Sequence, residues 1–175
     1  ENGKNMMAFT DSPVVEAKHK FSVEDFFLYY PLPDSSWRHT PNQLDSLGGQ
    51  LARAIYYPES SSVICYSSQD TSAVRSIFFT ELKDTVWTAP ALLGGASFSA
   101  SDEIYPMLSK DGKTLYFSSN GLYGVGGYDI YVSRRGKDGL WEQASNMGRR
   151  INTPADEINP FIHADNHSFY FSSDG

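Results

Sequence analysis

Glycines and carboxylates are the residues here whose spacing invites a chemical reading. Within YFSSNGLYGVGGYDIYVSRRGKDGLW, Tyr116 to Trp141, the glycines Gly121, Gly124, Gly126 and Gly127 crowd into one loop, a composition suited to cradling phosphate. A phosphate loop needs a helix after it, so that the helix N-terminus can hold the anion. Gly127 is instead followed by YDIYVS, aromatic and β-branched, and the loop is not closed by the Gly-Lys-Ser/Thr of a P-loop. Nucleotide binding is therefore not expected.

Two acidic pairs, Asp102-Glu103 and Asp156-Glu157, could join this loop in a rim for a hard cation, since carboxylates and backbone carbonyls suit Ca²⁺. No EF-hand or nonapeptide calcium pattern supports a metal. The competing reading is architectural: the acids accept backbone N–H bonds where one segment meets the next, and the glycines let the loop bend. The candidate rim is Asp102, Glu103, Gly124, Gly126, Gly127, Asp156 and Glu157, with no metal and no cofactor expected.

Other residues are weaker signals. The serine pairs Ser67-Ser68, Ser118-Ser119 and Ser172-Ser173 recur, whereas a nucleophile is needed once, and no G-x-S-x-G elbow is present. No catalytic residue is assigned. His163 and His167 have the i,i+4 spacing of a helical zinc pair, yet they flank a hairpin signal where that geometry does not apply. Cys65, the single cysteine, excludes an internal disulfide and reads as a buried, inert thiol.

The elements that position these residues follow from a repeat. DEIYP at Asp102 returns as DEINP at Asp156, YFSSN at Tyr116 as YFSSD at Tyr170, and Trp87 as Trp141, each 54 positions on. A weaker copy runs through CYSSQD at Cys65 and SIFFTEL at Ser76, and the spacing from Asp129 to Trp141 recurs from Asp25 to Trp37. Each unit reads as four short strands, in the clearest copy Ile104 to Leu108, Thr114 to Ser118, Tyr128 to Ser133 and a segment beginning near Trp141. SKDGK at Ser109 and GKDG at Gly136 are tight hairpin signals, and Asp165-Asn166 serves the same turn in the next copy. Alternating strand direction then gathers the acidic pairs and the glycine loop at one end of the sheets and the hairpins at the other.

Composition agrees. Aromatics make 14% of the 175 residues and favour pleated, half-buried surfaces. A formal net charge of −7 gives no electrostatic footprint for nucleic acid, and no apolar run approaches the roughly 20 residues that span a bilayer. The opening ENGKNM carries no signal segment and reads as a processed or excised start.

Four-stranded units of this length, stacked about an axis, are the signature of a β-propeller. GVGGYDIYVSRR, INTPADEINPFI and FYFSSDG resemble the TolB-like, WD40-like β-propeller repeats, in the form found in OmpA-family envelope lipoproteins of Bacteroidota, including the periplasmic propellers of type IX secretion. The resemblance covers residues 52–175 well and 1–51 loosely. It implies an all-β propeller of four-stranded antiparallel blades, incomplete in this chain. A divergent partial blade is expected at 1–51, full blades at 52–101 and 102–155, and the start of a truncated blade at 156–175. First strands would line the central channel, making Tyr105, Met107, Asn159 and Phe161 candidates to face inward or toward the neighbouring sheet. Trp37, Trp87 and Trp141 open the fourth strands and pack between blades.

The resemblance also implies a function: a non-catalytic scaffold that binds protein in the periplasm, associated with the outer membrane, and that reaches peptidoglycan through a domain elsewhere. Two alternatives stand beside it, a substrate-gating propeller of a prolyl-oligopeptidase-like serine peptidase and a glycan-binding propeller using its tryptophans.

Overall fold

The computed structural model describes residues 7–10, 26–31, 37–40, 50–57, 63–69, 74–83, 86–89, 91–93, 101–121 and 123–175, with side chains described within 74–81, 88–89, 91–93, 101–121 and 123–175. The remaining parts of the units expected at 1–51 and 52–101 lie outside the described residues, as do the side chains of Cys65, Ser67, Ser68, Trp37 and Trp87. Every described element is a β-strand, and all pairings are antiparallel.

The first sheet has three strands in chain order, β1 (Met7–Thr10), β2 (Phe26–Pro31) and β3 (Trp37–Thr40). The second runs β4 (Gln50–Tyr57), β5 (Val63–Gln69) and β6 (Arg75–Lys83), and two short strands, β7 (Val86–Trp87) and β8 (Ala91–Leu92), lie along β6. The third is a four-stranded meander of β9 (Glu103–Leu108), β10 (Thr114–Ser119), β11 (Asp129–Arg134) and β12 (Ser145–Asn146). The last described sheet pairs β13 (Glu157–Ile162) with β14 (Phe169–Ser173).

The 54-residue period is reproduced bond by bond. Glu103, Ile104, Met107 and Leu108 face Ser119, Ser118, Tyr116 and Leu115, and the residues 54 further on face one another in the same register. The tryptophans occupy one place: Trp37 pairs with Pro31, Trp87 with Leu82 and Trp141 with Arg135, each opposite the end of a third strand. In the second and third sheets the expected fourth strand is therefore real but interrupted, a contact at the tryptophan followed by two residues further on. Leu93 N–H donates to Ile77 O at 2.8 Å, as Met147 N–H does to Ile130 O at 3.0 Å. The Thr80 hydroxyl reaches Thr88 O at 2.6 Å, as Ser133 reaches Glu142 O at 2.6 Å.

The three hairpin signals form the turns their residues dictate. Gly112 and Gly139 sit at φ 68° and 82° and Asn166 at φ 57°, the left-handed region that Gly and Asn tolerate. Asp111 Oδ1 accepts from the Ser109 hydroxyl and the Lys113 amide at 2.6 and 3.1 Å, and Asp165 Oδ1 accepts from the His167 and Ser168 amides at 2.8 and 2.9 Å.

One feature of the first strands is absent from simple alternation. Each carries one residue more than its partner, between Leu51 and Arg53, between Ile104 and Met107, and between Ile158 and Phe161. In β9 and β13 the bulge holds a left-handed residue, Tyr105 at φ 53° and Asn159 at φ 55°, followed by the buried Pro106 and Pro160. Proline has no ladder donor, and a bulge is where a sheet can accept it.

Burial follows from stacking these sheets. Ile77 and Leu93 of the second sheet, Met107, Leu108, Leu115, Phe117 and Tyr131 of the third, and Ile162 of the fourth form one apolar cluster, with Trp141 and Ala144 packed against it. Phe117 stacks on Tyr131 at 5.9 Å between ring centres, and Tyr116, on the other side of the β10 pleat, meets Phe169 at 5.0 Å. Because Leu115 is fully buried at this junction, Leu115→Ala is expected to cost about 3 kcal/mol in urea unfolding, while Leu140→Ala, at the exposed tip of the β11–β12 turn, should cost under about 0.5 kcal/mol.

Candidate functional site

The acidic pairs and the glycine loop do converge at one end of the sheets. Gly127 N–H donates to Ala155 O at 3.2 Å, Tyr128 N–H donates to Asp156 Oδ1 at 2.7 Å, and Glu157 N–H donates to Tyr128 O at 2.6 Å. The segment before β11 is thus fastened to the segment before β13.

The same joint is built one period earlier. Arg75 opens β6 as Asp129 and its neighbour Tyr128 open β11, and Arg75 N–H donates to Asp102 Oδ1 at 2.8 Å. Each aspartate also donates from its own amide to a side-chain oxygen 18 residues on: Asp102 to Asn120 Oδ1 at 2.9 Å and Asp156 to Asp174 Oδ1 at 2.8 Å. One residue thereby ties the preceding third strand to the end of its own sheet's second strand.

At Asp102 the joint has an added charge cluster. Its Oδ2 accepts from Arg75 Nε at 3.0 Å, Arg75 Nη2 at 2.7 Å and the Tyr128 hydroxyl at 2.8 Å, while Arg75 Nη2 also donates to the Tyr128 oxygen at 2.5 Å. The guanidinium lies 5.7 Å from the Tyr128 ring centre. Burial alone would raise the Asp102 pKa, but the Arg75 amide and guanidinium and the Tyr128 hydroxyl outweigh it and hold the carboxyl below its ordinary range. Burial and the bond to Asp102 push the Tyr128 hydroxyl up.

The other acids are equally engaged. Glu157 has no exposed surface; Thr153 donates to it from amide and hydroxyl at 2.8 and 2.6 Å, and the Ser173 hydroxyl donates at 2.8 Å. Desolvation would raise its pKa, and these donors reverse the direction and keep it below the ordinary 4.5. Glu103, its counterpart, is likewise buried. Asp129, fully buried, accepts from the Val125 amide, the Gly126 amide at 3.3 Å and Asn146 Nδ2 at 3.2 Å. Asn152 completes this layer: its side-chain amide accepts from Ile130 N–H at 2.8 Å and donates to Ile130 O at 3.0 Å, and it bonds Asn146 Oδ1 at 2.9 Å.

The loop does bend where expected, at Val125–Tyr128 across Gly126 and Gly127. The described positive-φ glycines are Gly112, Gly139 and Gly148, so this bend needs no left-handed backbone at Gly124, Gly126 or Gly127. They permit close approach. A Cβ on Gly126 would lie 2.2 Å from Ala155 O and 2.4 Å from Thr153 O, on Gly127 2.0 Å from Asp156 Oδ1, and on Gly124 2.3 Å from Asp129 Oδ2.

The remaining candidates scatter. Met107 belongs to the apolar cluster, Tyr105 and Asn159 are half-buried at the bulges, and Phe161 is 43% exposed, its ring 6.2 Å from that of Tyr170. His163 and His167 are both exposed in the β13–β14 hairpin, around Asp165. Ser119 and Ser173 hydroxyls accept from the Gly121 and Gly175 amides at 3.1 and 3.2 Å, one structural role repeated 54 positions apart. Among the described residues no three His, Cys, Asp or Glu side chains converge as a metal ion would require. Sequence reasoning missed Arg75, Tyr128, Asn120, Asp174, Asp129, Asn146 and Asn152; only Asn120 and Asp174, 54 apart, carried a visible signal.

Two outcomes separate a joint from a ligand rim. Gly126→Ala should lower the stability of the fold by at least about 2 kcal/mol, because two backbone carbonyls must move; a pure binding role would leave the unfolding midpoint in place. Glu157→Gln should cost about 2 kcal/mol near neutral pH, since an amide brings a donor against donors. The depressed Glu157 pKa makes its contribution complete above about 4.5 and lost as pH falls through the lower folded value, so the variant's acid-unfolding curve should be flatter below 4.5 than the parent's.

No protein-family model matches the chain, and no curated protein matches it.

Proposed function

We propose that these sheets are blades of a β-propeller that acts as a non-catalytic protein-binding scaffold in the bacterial envelope, in the periplasm and associated with the outer membrane. The observation that carries the scaffold reading is the repeated joint. Asp102 and Asp156, carboxylates that would have formed a reactive or metal-binding rim, accept backbone donors at equivalent places, and their own amides donate to Asn120 and Asp174, also at equivalent places. Repetition of a motif that holds sheets together supports an extended platform, and stacked sheets whose neighbours cover each other's faces are how such platforms are built. The envelope assignment rests on the likeness of GVGGYDIYVSRR, INTPADEINPFI and FYFSSDG to TolB-like repeats, an argument from analogy.

The reading implies protein partners in the envelope and contact with peptidoglycan through another domain. Affinity capture with the full-length protein from solubilised envelope fractions is expected to recover a defined outer-membrane partner and cell-wall fragments. Recovery of neither, with the protein shown to be folded, would remove the scaffold proposal. Hydrolysis of peptide substrates by the full-length protein, abolished by substitution of a single serine, would favour the peptidase gate instead.

A further inference from the structure

We propose that Asn120-Gly121 is a site of spontaneous deamidation, and that the fold is already suited to the aspartate it produces. Asn120 is exposed at the end of β10, and Gly121, lacking a side chain, leaves its own amide nitrogen open to attack the neighbouring Cγ. One contact favours the reaction: Asp102 N–H donates to Asn120 Oδ1 at 2.9 Å, drawing electron density from Cγ. The Gly121 N–H, bonded to Ser119 Oγ at 3.1 Å, loses its proton to hydroxide of the alkaline medium. A bond forms between the Gly121 nitrogen and Cγ, the Cγ–Nδ2 bond breaks, and ammonia departs carrying the displaced proton. Water then opens the resulting cyclic imide at one carbonyl or the other, giving aspartate or isoaspartate.

The other asparagines described with partners are less disposed to react. Asn146 and Asn152 hold both side-chain amide atoms in hydrogen bonds and precede the bulkier Met147 and Thr153. Asn159 precedes Pro160, which has no N–H to lose.

The product state is visible elsewhere in the same chain. Asp174-Gly175 stands 54 positions after Asn120-Gly121 and makes the same pair of bonds: Asp174 Oδ1 accepts from Asp156 N–H at 2.8 Å, and Gly175 N–H donates to Ser173 Oγ at 3.2 Å. Aspartate at 120 therefore keeps the joint. Isoaspartate lengthens the backbone by one carbon at that point and moves the acceptor away from the Asp102 amide.

The test is incubation of the intact protein in mildly alkaline buffer followed by tryptic mapping. The peptide Thr114–Arg134 contains Asn120 and no other Asn or Gln, so a gain of about one dalton there reports this site alone. It is expected to split into aspartate and isoaspartate forms before the peptides bearing Asn146, Asn152 or Asn166 change. Asn120→Gln should abolish the change, and Asn120→Asp should melt at the parent temperature. A Thr114–Arg134 peptide that stays intact while the Asn2-Gly3 peptide converts would overturn the proposal of reactivity. A clearly lower melting temperature for Asn120→Asp would overturn the proposal that aspartate is accommodated.

Discussion

The aspartate that opens each unit, Asp102 or Asp156, is the contact on which the rest of the arrangement depends. An antiparallel sheet of four short strands has two apolar faces and cannot hide both, so neighbouring sheets must be held against it. The aspartate does this with two bonds at once: its carboxylate takes the amide that begins the preceding third strand, and its own amide reaches the end of the second strand in its own sheet. Bonds to a charged acceptor contribute about 1.5–3 kcal/mol each, and here they act where a backbone amide would otherwise be left at a junction. At Asp102 the Arg75 and Tyr128 side chains add a partly buried ion pair spanning both sheets.

This also explains why the region looks like a ligand site in sequence. Anion cradles and inter-sheet joints need the same two things, backbone amides presented to an oxyanion and a main chain able to come within van der Waals contact of its neighbour. Glycine supplies the second in both settings and carboxylate is the oxyanion in one of them. In this protein the anions are Asp129 and Asp156, supplied by the chain itself, and they fill the space against Gly124 and Gly127.

Much of the architecture was legible because it repeats. The strand positions in the Glu103–Asn146 sheet, the Asp-Gly turns, the place of the tryptophans and the convergence of acids with glycines all followed from a fixed offset and from turn chemistry. What escaped depends on non-periodic facts. The extra residue at Tyr105 and Asn159 breaks the two-residue alternation, so side-chain facing could not be assigned by parity. Met107 and Phe161 hold equivalent places after that bulge, yet Met107 is in the core and Phe161 is 43% exposed, a difference set by what packs over each sheet and not by the strand's own pattern. Glycine composition does not distinguish positive φ from close approach. Arg75 and Tyr128 occupy one backbone position in two units but bear different side chains, which hides their shared role.

Asn152 carries one further consequence. Its side-chain amide meets the N–H and C=O of Ile130 as a strand residue would, at the place where the two residues of β12 run out. A side chain has here replaced a length of main chain. The outer border of this sheet is consequently only two residues long, and it offers no continuous row of free amides and carbonyls to a strand from another molecule. A border closed by a side chain rather than by a longer strand gives this sheet protection against edge-to-edge pairing.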